Sequence, residues 1–343
     1  MRVPAGSGAL ESTGGLNSMM MYLQVIGGFV ILVVAAEAMV RGAVILAEKM
    51  GISAMVIGMT VVAFGTSAPE LMVSLQAGLN GSTGLAIGNI VGSNIANVWL
   101  ILGASCLVTP ILGRPDAMKR DVVLLMGGSI LFTGLCLEGT LANVAGMVLL
   151  VVFGTFLGVS YFREKADPEL QKEHQEELEE LEKGMPKSVP IALVATLVGV
   201  AGLAFGADML VDGGSEIARS FGVSEEVIGL TLFAFGTSLP ELAASVVAAY
   251  RGHPDVAIGN VVGSNIFNMM LVGGIVSLVI PIPVPQQVLD FDIWVMLVAT
   301  AMLLPVLMGW MKLDRKYAFL FFVIYLGYVG AQAYGVDRLM ASI

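Results

Sequence analysis

Charge is scarce in this sequence. Only 13% of its 343 residues are Asp, Glu, Lys or Arg, where a soluble domain carries about a quarter, so a water-soluble globular fold is excluded. Cysteine is scarcer: Cys106 and Cys136 are the two present, both in apolar stretches, which speaks against a disulfide framework and for ordinary packing. No stripe of basic residues exists, so nucleic acid is not an expected partner. Alternation of period two is missing as well, and with it any support for a β-barrel. The first residues, "MRVPAGSGALESTGGLNS", lack the cationic start of a signal peptide and read instead as a mobile segment over 1–18.

What is abundant is apolar length. Hydrophobic residues make up 57% of the chain, and the mean hydropathy is +0.88. A helix crossing the hydrocarbon core needs roughly 20 mostly apolar residues. Ten such stretches lie near 20–48, 54–79, 84–109, 121–137, 141–162, 189–218, 225–250, 255–280, 290–311 and 316–334. The expectation is an all-α integral membrane protein of ten transmembrane helices. The net charge is −10, and much of the acid lies in one segment, "REKADPELQKEHQEELEELEKGMPK". Its Lys172/Glu176 and Glu179/Lys183 pairs at i,i+4 suit a solvated linker over 163–188.

The basic residues predict an orientation. With the N-terminus outside, the inner loops hold Lys49, Arg114, Lys119, Arg120, Arg163, Lys165, Lys172, Lys183, Lys187, Arg251, Lys312, Arg315 and Lys316. Of the 17 Lys and Arg, only Arg2, Arg219 and Arg338 stay outside and Arg41 falls within the first helix, which leaves 17 − 4 = 13 inside. Both termini then lie outside and the acidic linker is cytoplasmic. His174 and His253 fall in inner loops, which excludes a histidine proton relay from the core. The short linker suggests a prokaryotic inner membrane.

The chain is written twice. "GISAMVIGMTVVAFGTSAPEL" from Gly51 matches "GVSEEVIGLTLFAFGTSLPEL" from Gly222, and "AIGNIVGSNIANVWL" matches "AIGNVVGSNIFNMML". The offset is constant, 237 − 66 = 171 and 268 − 97 = 171, with roughly half of positions 51–103 identical to their partners. Each half, 19–162 and 189–343, then holds five helices. An odd number makes the second copy enter the membrane from the opposite side, the inverted repeat that lets one set of contacts serve two faces.

Each half carries the phrase GTSxPEL inside an apolar stretch. Pro69 offers no N–H to the Gly65 carbonyl and crowds that turn, and Pro240 does the same at Gly236. Backbone oxygens freed in this way are tolerated in a membrane only where they line a polar site. Thr66 and Glu70 share a helix face with Ser67 beside them, and Thr237, Ser238 and Glu241 repeat the arrangement. A carboxylate at the bilayer centre costs at least about 2.5–3.5 kcal/mol, so two at symmetric positions among hydroxyls point to function rather than structural accident. Asn89, Ser93 and Asn97, with Asn260, Ser264 and Asn268, form polar stripes at i, i+4, i+8 on the following helices. Some of these only tie helices together; Asn89, Asn94, Asn260 and Asn265 are expected to brace the kinked helices. Carboxylate, hydroxyl, amide and carbonyl oxygens without thiolate or imidazole suit hard cations: Na⁺, Ca²⁺, Mg²⁺ or H⁺.

The doubled "GTSxPEL…GNxxGSNIxN" resembles the two α-repeats of the sodium/calcium exchanger family, within the cation/calcium antiporter superfamily. The resemblance spans nearly the whole chain. It implies two inverted five-helix halves, exchange by alternating access in which the first and sixth helices move, no cofactor, and a protein able to work as a monomer. It also implies ligands from the carbonyl of Ala63 with Thr66, Ser67, Glu70, Ser93 and Asn97, and from the carbonyl of Ala234 with Thr237, Ser238, Glu241, Ser264 and Asn268. Many members carry Asp where this chain has Asn268, so the site has two carboxylates rather than three. Exchange of Na⁺ for Ca²⁺ is the expected activity, and Ca²⁺/H⁺ or other cation antiport through the same two glutamates is the alternative. A cation channel and an intramembrane enzyme are the competing classes; no nucleophile–base pair stands in the core for the latter.

Overall fold

A computed structural model describes residues 8–51, 54–112, 115–166, 188–221 and 234–336. The termini, most of the charged linker and the beginning of the second repeat, residues 222–233, lie outside the described residues. Among the described residues, six helices are long and apolar enough to cross a membrane, and three shorter apolar helices accompany them. The protein is therefore a mostly helical membrane protein.

Helix α1 (Gly8–Met50) extends back into the Gly/Ser-rich stretch. The next apolar stretch is broken. Helix α2 (Ala54–Ile57) runs through a π-helical turn (Gly58–Val62) into α3 (Ala63–Thr66); then Ser67 leaves helical geometry, and α4 (Ala68–Leu79) begins. Pro69 explains the break, since it belongs at the start of a helix, where a missing N–H costs nothing. Helix α5 (Thr83–Ala96) continues through a π-helical turn (Asn97–Leu102) into α6 (Gly103–Val108). Strand β1 (Ile111–Leu112), α7 (Pro115–Leu137), β2 (Thr140–Leu141) and α8 (Asn143–Ala166) complete the first half.

The second half repeats this order. It begins with α9 (Val189–Ser220), α10 (Ala234–Thr237) and α11 (Leu239–Tyr250). Helix α12 (Pro254–Ile266), a π-helical turn (Phe267–Val272), α13 (Gly273–Val279) and β3 (Ile282–Pro283) come next. A further π-helical turn (Val288–Asp292), α14 (Ile293–Leu307), β4 (Lys312–Leu313) and α15 (Arg315–Tyr334) close the chain. Asp314 starts α15 by accepting from the backbone N–H groups of Lys316 at 2.9 Å and Tyr317 at 3.3 Å, which satisfies two donors that the first helical turn leaves open.

Two small antiparallel ladders join the halves: β1 pairs with β4, Ile111 opposite Leu313, and β2 with β3, Thr140 opposite Pro283. Strands β1 and β3 are equivalent, since 282 − 111 = 171, yet α7 separates β1 from β2, the partner of β3. Equivalent strands of the two halves thus lie at opposite ends of the bundle. Lys312 and Leu112 pair at one end. Arg251 is at that end too, because Thr109, just before β1, donates to the Ala249 carbonyl at 2.8 Å.

Inside and outside are sharply divided. Within the most apolar 18 residues of the spans Thr83–Val108 and Pro254–Val279 83% are buried, against 11% for Arg315–Tyr334, which faces outward. The two site-bearing helices are therefore the centre of the molecule. Along one side, α1 packs antiparallel on α9, so closely at its glycines that a side chain there would clash. A Cβ at Gly28 would stand 2.7 Å from the Gly206 carbonyl oxygen, and one at Gly199 2.6 Å from the Met39 nitrogen. These two glycines are themselves equivalent, 199 − 28 = 171, so the repeat extends to α1 and α9. Small residues let backbones approach where the membrane supplies no hydrophobic drive between helices. Arg41, a cation within this long helix, is neutralised by Glu37 one turn away, which also receives Arg251.

Replacing Gly28 by Leu should force α1 from α9 and destabilise the protein by about 1–3 kcal/mol or more. Thermal unfolding in detergent should show a clear loss of stability, whereas Gly154→Ala, which has nothing within 4 Å of its Cβ, should unfold as the parent does.

Candidate cation site

The two breaks bring the two GTSxPEL motifs together. Ser67 (φ −85°, ψ 4°) and Ser238 (φ −88°, ψ 1°) occupy the non-helical step before α4 and α11, each one turn ahead of its glutamate. The Ser67 hydroxyl crosses between the halves and donates to Glu241 Oε1 at 3.0 Å. Thr66 donates across the same boundary to Asn260 Oδ1 at 3.2 Å, and Thr237 to Asn89 Oδ1 at 3.4 Å. Asn97 Nδ2 donates to Asn265 Oδ1 at 3.0 Å. Motif and stripe residues from both halves thus share one hydrogen-bonded core.

Every candidate side chain described is buried: Glu70 is 1% exposed and Glu241, Ser264, Asn97 and Asn268 are 0% exposed. Ala63 is equally buried. Its carbonyl already accepts from the Ser67 N–H at 2.9 Å and, at 3.4 Å, from the Thr66 hydroxyl, so it would reach an ion through its remaining acceptor capacity. Ala234 opens α10 at the edge of the undescribed segment. Ser93 Oγ donates to the Asn89 carbonyl at 2.7 Å, which engages its hydrogen and leaves its oxygen lone pairs for an ion.

Asn89 and Asn260 have a bracing role. Asn89 Nδ2 donates to the Glu70 carbonyl at 3.3 Å and to Ser74 Oγ at 2.9 Å; Asn260 Nδ2 donates to the Glu241 carbonyl at 3.4 Å and to Ser245 Oγ at 2.9 Å. Each amide fastens the helix after the break to the helix that succeeds it. Ser74 and Ser245 were not among the residues expected from the sequence, although both stand four residues after the glutamate in each copy. The π-helical turns at Asn97 and Phe267 were not foreseen either. A π-helical turn inserts one residue and rotates the side chains beyond it, and such turns recur at functional sites.

The polar atoms left over define the chemistry. Twelve buried side-chain nitrogen and oxygen atoms lack a hydrogen-bond partner among the described residues, and eight belong to candidate residues: Glu70 Oε1 and Oε2, Glu241 Oε2, Ser238 Oγ, Ser264 Oγ, Asn97 Oδ1, and both polar atoms of Asn268. Buried polar groups are almost always paired, and an unpaired buried carboxylate is far more costly than a neutral group. Seven of these eight atoms are oxygens, the donor set of a hard cation. No group of three or more His, Cys, Asp or Glu that could hold a metal occurs among the described residues; the set is two carboxylates with hydroxyls and amides.

Comparison with known proteins agrees with this chemistry. The family model described as sodium/calcium exchanger protein matches residues 20–162 and 191–334, both halves of the chain. The chain is 38% identical over 296 residues to the putative antiporter CaxA of Alkalimonas amylolytica, covering 85% of this chain and 91% of that protein. It is 32% identical to the sodium/calcium exchanger MaX1 of Methanosarcina acetivorans, covering 82% of this chain and 90% of that protein. A solved structure of the sodium-calcium exchanger NCX_Mj, soaked with Na⁺ and Sr²⁺, superposes with a TM-score of 0.79 at 30% identity, over 91% of this chain and 98% of that one. Such relatives are transporters, so the chain is not an enzyme. The doubled motif, the helical membrane fold and the match across both halves converge, and the chain belongs to the sodium/calcium exchanger family.

Proposed function

We propose that this protein is a secondary antiporter that exchanges Na⁺ for Ca²⁺ by alternating access, with Glu70 and Glu241 as the charged ligands of the ion. The observation that carries this reading is the unpaired Glu70 carboxylate, buried at the centre of the bundle beside oxygens of both halves. A bound cation would ligate both oxygens, and a proton would remove the charge. Sodium ions or protons competing for the same carboxylates supply the physical basis of exchange: whichever occupies the pair excludes the other. Thr66, Ser67, Thr237, Ser238, Ser93 and Ser264 share the sodium positions, the carbonyls of Ala63 and Ala234 add backbone oxygens, and Asn97 and Asn268 orient ligands at the midplane. The names of MaX1 and NCX_Mj as sodium/calcium exchangers support the choice of ions.

The architecture in this reading is ten membrane crossings in two inverted five-helix halves. Its support is the odd number of apolar stretches per repeat and the placement of β1 and β3 at opposite ends. The end holding Arg251 and Lys312 faces the cytoplasm by the positive-inside rule; the protein then sits in a prokaryotic inner membrane with both termini outside, joined by a cytoplasmic linker.

Ca²⁺/H⁺ antiport is the second reading, favoured by Asn at both 97 and 268. With two carboxylates instead of three, two protons suffice to replace one Ca²⁺. A channel is disfavoured by the closed, interdigitated core.

Glu70→Gln and Glu241→Gln should each abolish Ca²⁺ transport while leaving folding intact, read as ⁴⁵Ca²⁺ uptake into proteoliposomes beside a thermal melt. Uptake retained in both variants contradicts the assignment. In the parent, ⁴⁵Ca²⁺ uptake should require Na⁺ on the trans side and proceed without a pH gradient; uptake driven by a pH gradient alone establishes the proton reading.

A further inference from the structure

The contacts around the site fall into two classes when compared across the repeat. One class is made twice. Thr66 to Asn260 and Thr237 to Asn89 are equivalent bonds, as are the paired bonds of Asn89 to Ser74 and Asn260 to Ser245. The other class is made once. Ser67 donates to Glu241 at 3.0 Å, but its equivalent Ser238 is unpartnered, and so are both oxygens of Glu70. Asn97 donates to Asn265 Oδ1 at 3.0 Å, whereas Asn268 is unpartnered through both polar atoms and Asn94 Oδ1 is idle.

Two further pairs show the same imbalance. Asn265 Nδ2 donates to the Asn94 carbonyl at 3.4 Å, while Asn94 Nδ2 turns away to the Ile90 carbonyl at 2.7 Å. Ser93 donates to the Asn89 carbonyl at 2.7 Å, and its equivalent Ser264 has no partner. The imbalance has one sense: the bonds of Ser67, Asn97, Asn265 and Ser93 are made, and the equivalent bonds of Ser238, Asn268, Asn94 and Ser264 are not. If these were passive packing bonds, the repeat would make both sets, as it does for the frame around Asn89 and Asn260.

We propose that Asn94 and Asn265 are positioning residues of a two-state hydrogen-bond exchange that accompanies alternating access. In the present state Asn265 holds Asn97 and Ser67 holds Glu241; in the oppositely facing state Asn94 holds Asn268 and Ser238 holds Glu70. The proposal rests on the antiporter reading and extends it to two residues outside the ligand set. Its physical basis is that the sets consist of the same groups. Trading one for the other replaces bonds like for like, so two states of similar free energy arise from an inverted repeat. The oxygens idle in each state are those left free for the ion, which ties the exchange of bonds to the ion's position. Asn89 and Asn260, bonded alike in both halves, form the fixed frame.

The test compares the half-saturating Ca²⁺ concentration on the two faces of oriented proteoliposomes holding the full chain. Asn265→Ala removes a bond of the present state and Asn94→Ala a bond of the other, and apparent affinity on each face scales with the fraction of protein open to it. The ratio of the two half-saturation values should move about two- to tenfold, in opposite directions for the two variants. Ser67→Ala and Ser238→Ala, each the loss of one hydroxyl, should repeat the opposed pair and serve if an asparagine variant does not fold. Ratios that move in the same direction within a pair, or do not move, overturn the proposal. Exchange abolished in the glutamate variants alongside parallel shifts here removes the bond exchange alone; exchange that survives in those variants removes the antiporter reading itself.

Discussion

The bond from Ser67 to Glu241 joins a hydroxyl of one half to the carboxylate of the other, and the rest of the core is arranged around the need to hold two carboxylates in a dry interior. Burial makes each charge costly, so each must be met by donors, backbone or ion. The helix breaks at Ser67 and Ser238 bring hydroxyls within reach. Asn89 and Asn260 keep the broken ends from separating, and the glycine contacts between α1 and α9 close the outer face without competing for the polar interior. Remove the carboxylates and none of these costly features has a reason to be there.

Symmetry supplies the second constraint. A repeat offset by 171 residues gives each group in the core a twin, and the ladders β1–β4 and β2–β3 fasten each half to the opposite end of the other. Two copies of one chemistry then meet across an approximate two-fold axis. A frame bonded equally on both sides can stay fixed while unequal inner bonds trade places, which separates scaffold from moving part without any extra domain.

Much of this was legible in the residues. The paucity of charge gave the membrane, the duplicated phrase gave the two glutamates, and Pro69 and Pro240 gave the breaks, because each rests on a local physical cost that sequence displays directly. Asn89 and Asn260 could be named as braces, but their partners Ser74 and Ser245 could not, since a serine in an apolar helix most often bonds its own backbone. The π-helical turns at Asn97 and Phe267 leave no mark in apolar periodicity, which averages over a single inserted residue. Nor does any sequence signal tell that Asn97 is held while Asn268 is open. Two near-identical motifs read as equal, and the inequality belongs to the conformation. The close approach of Gly28 to Gly206 likewise needs tertiary contact.

The central claim is that Glu70 and Glu241 together bind the transported cation. Calorimetric titration of the purified protein with Ca²⁺ in detergent tests it most directly. Saturable Ca²⁺ binding that weakens as Na⁺ is added, and disappears in both Glu70→Gln and Glu241→Gln, is the result expected. Equal Ca²⁺ binding by the parent and both glutamine variants would contradict it.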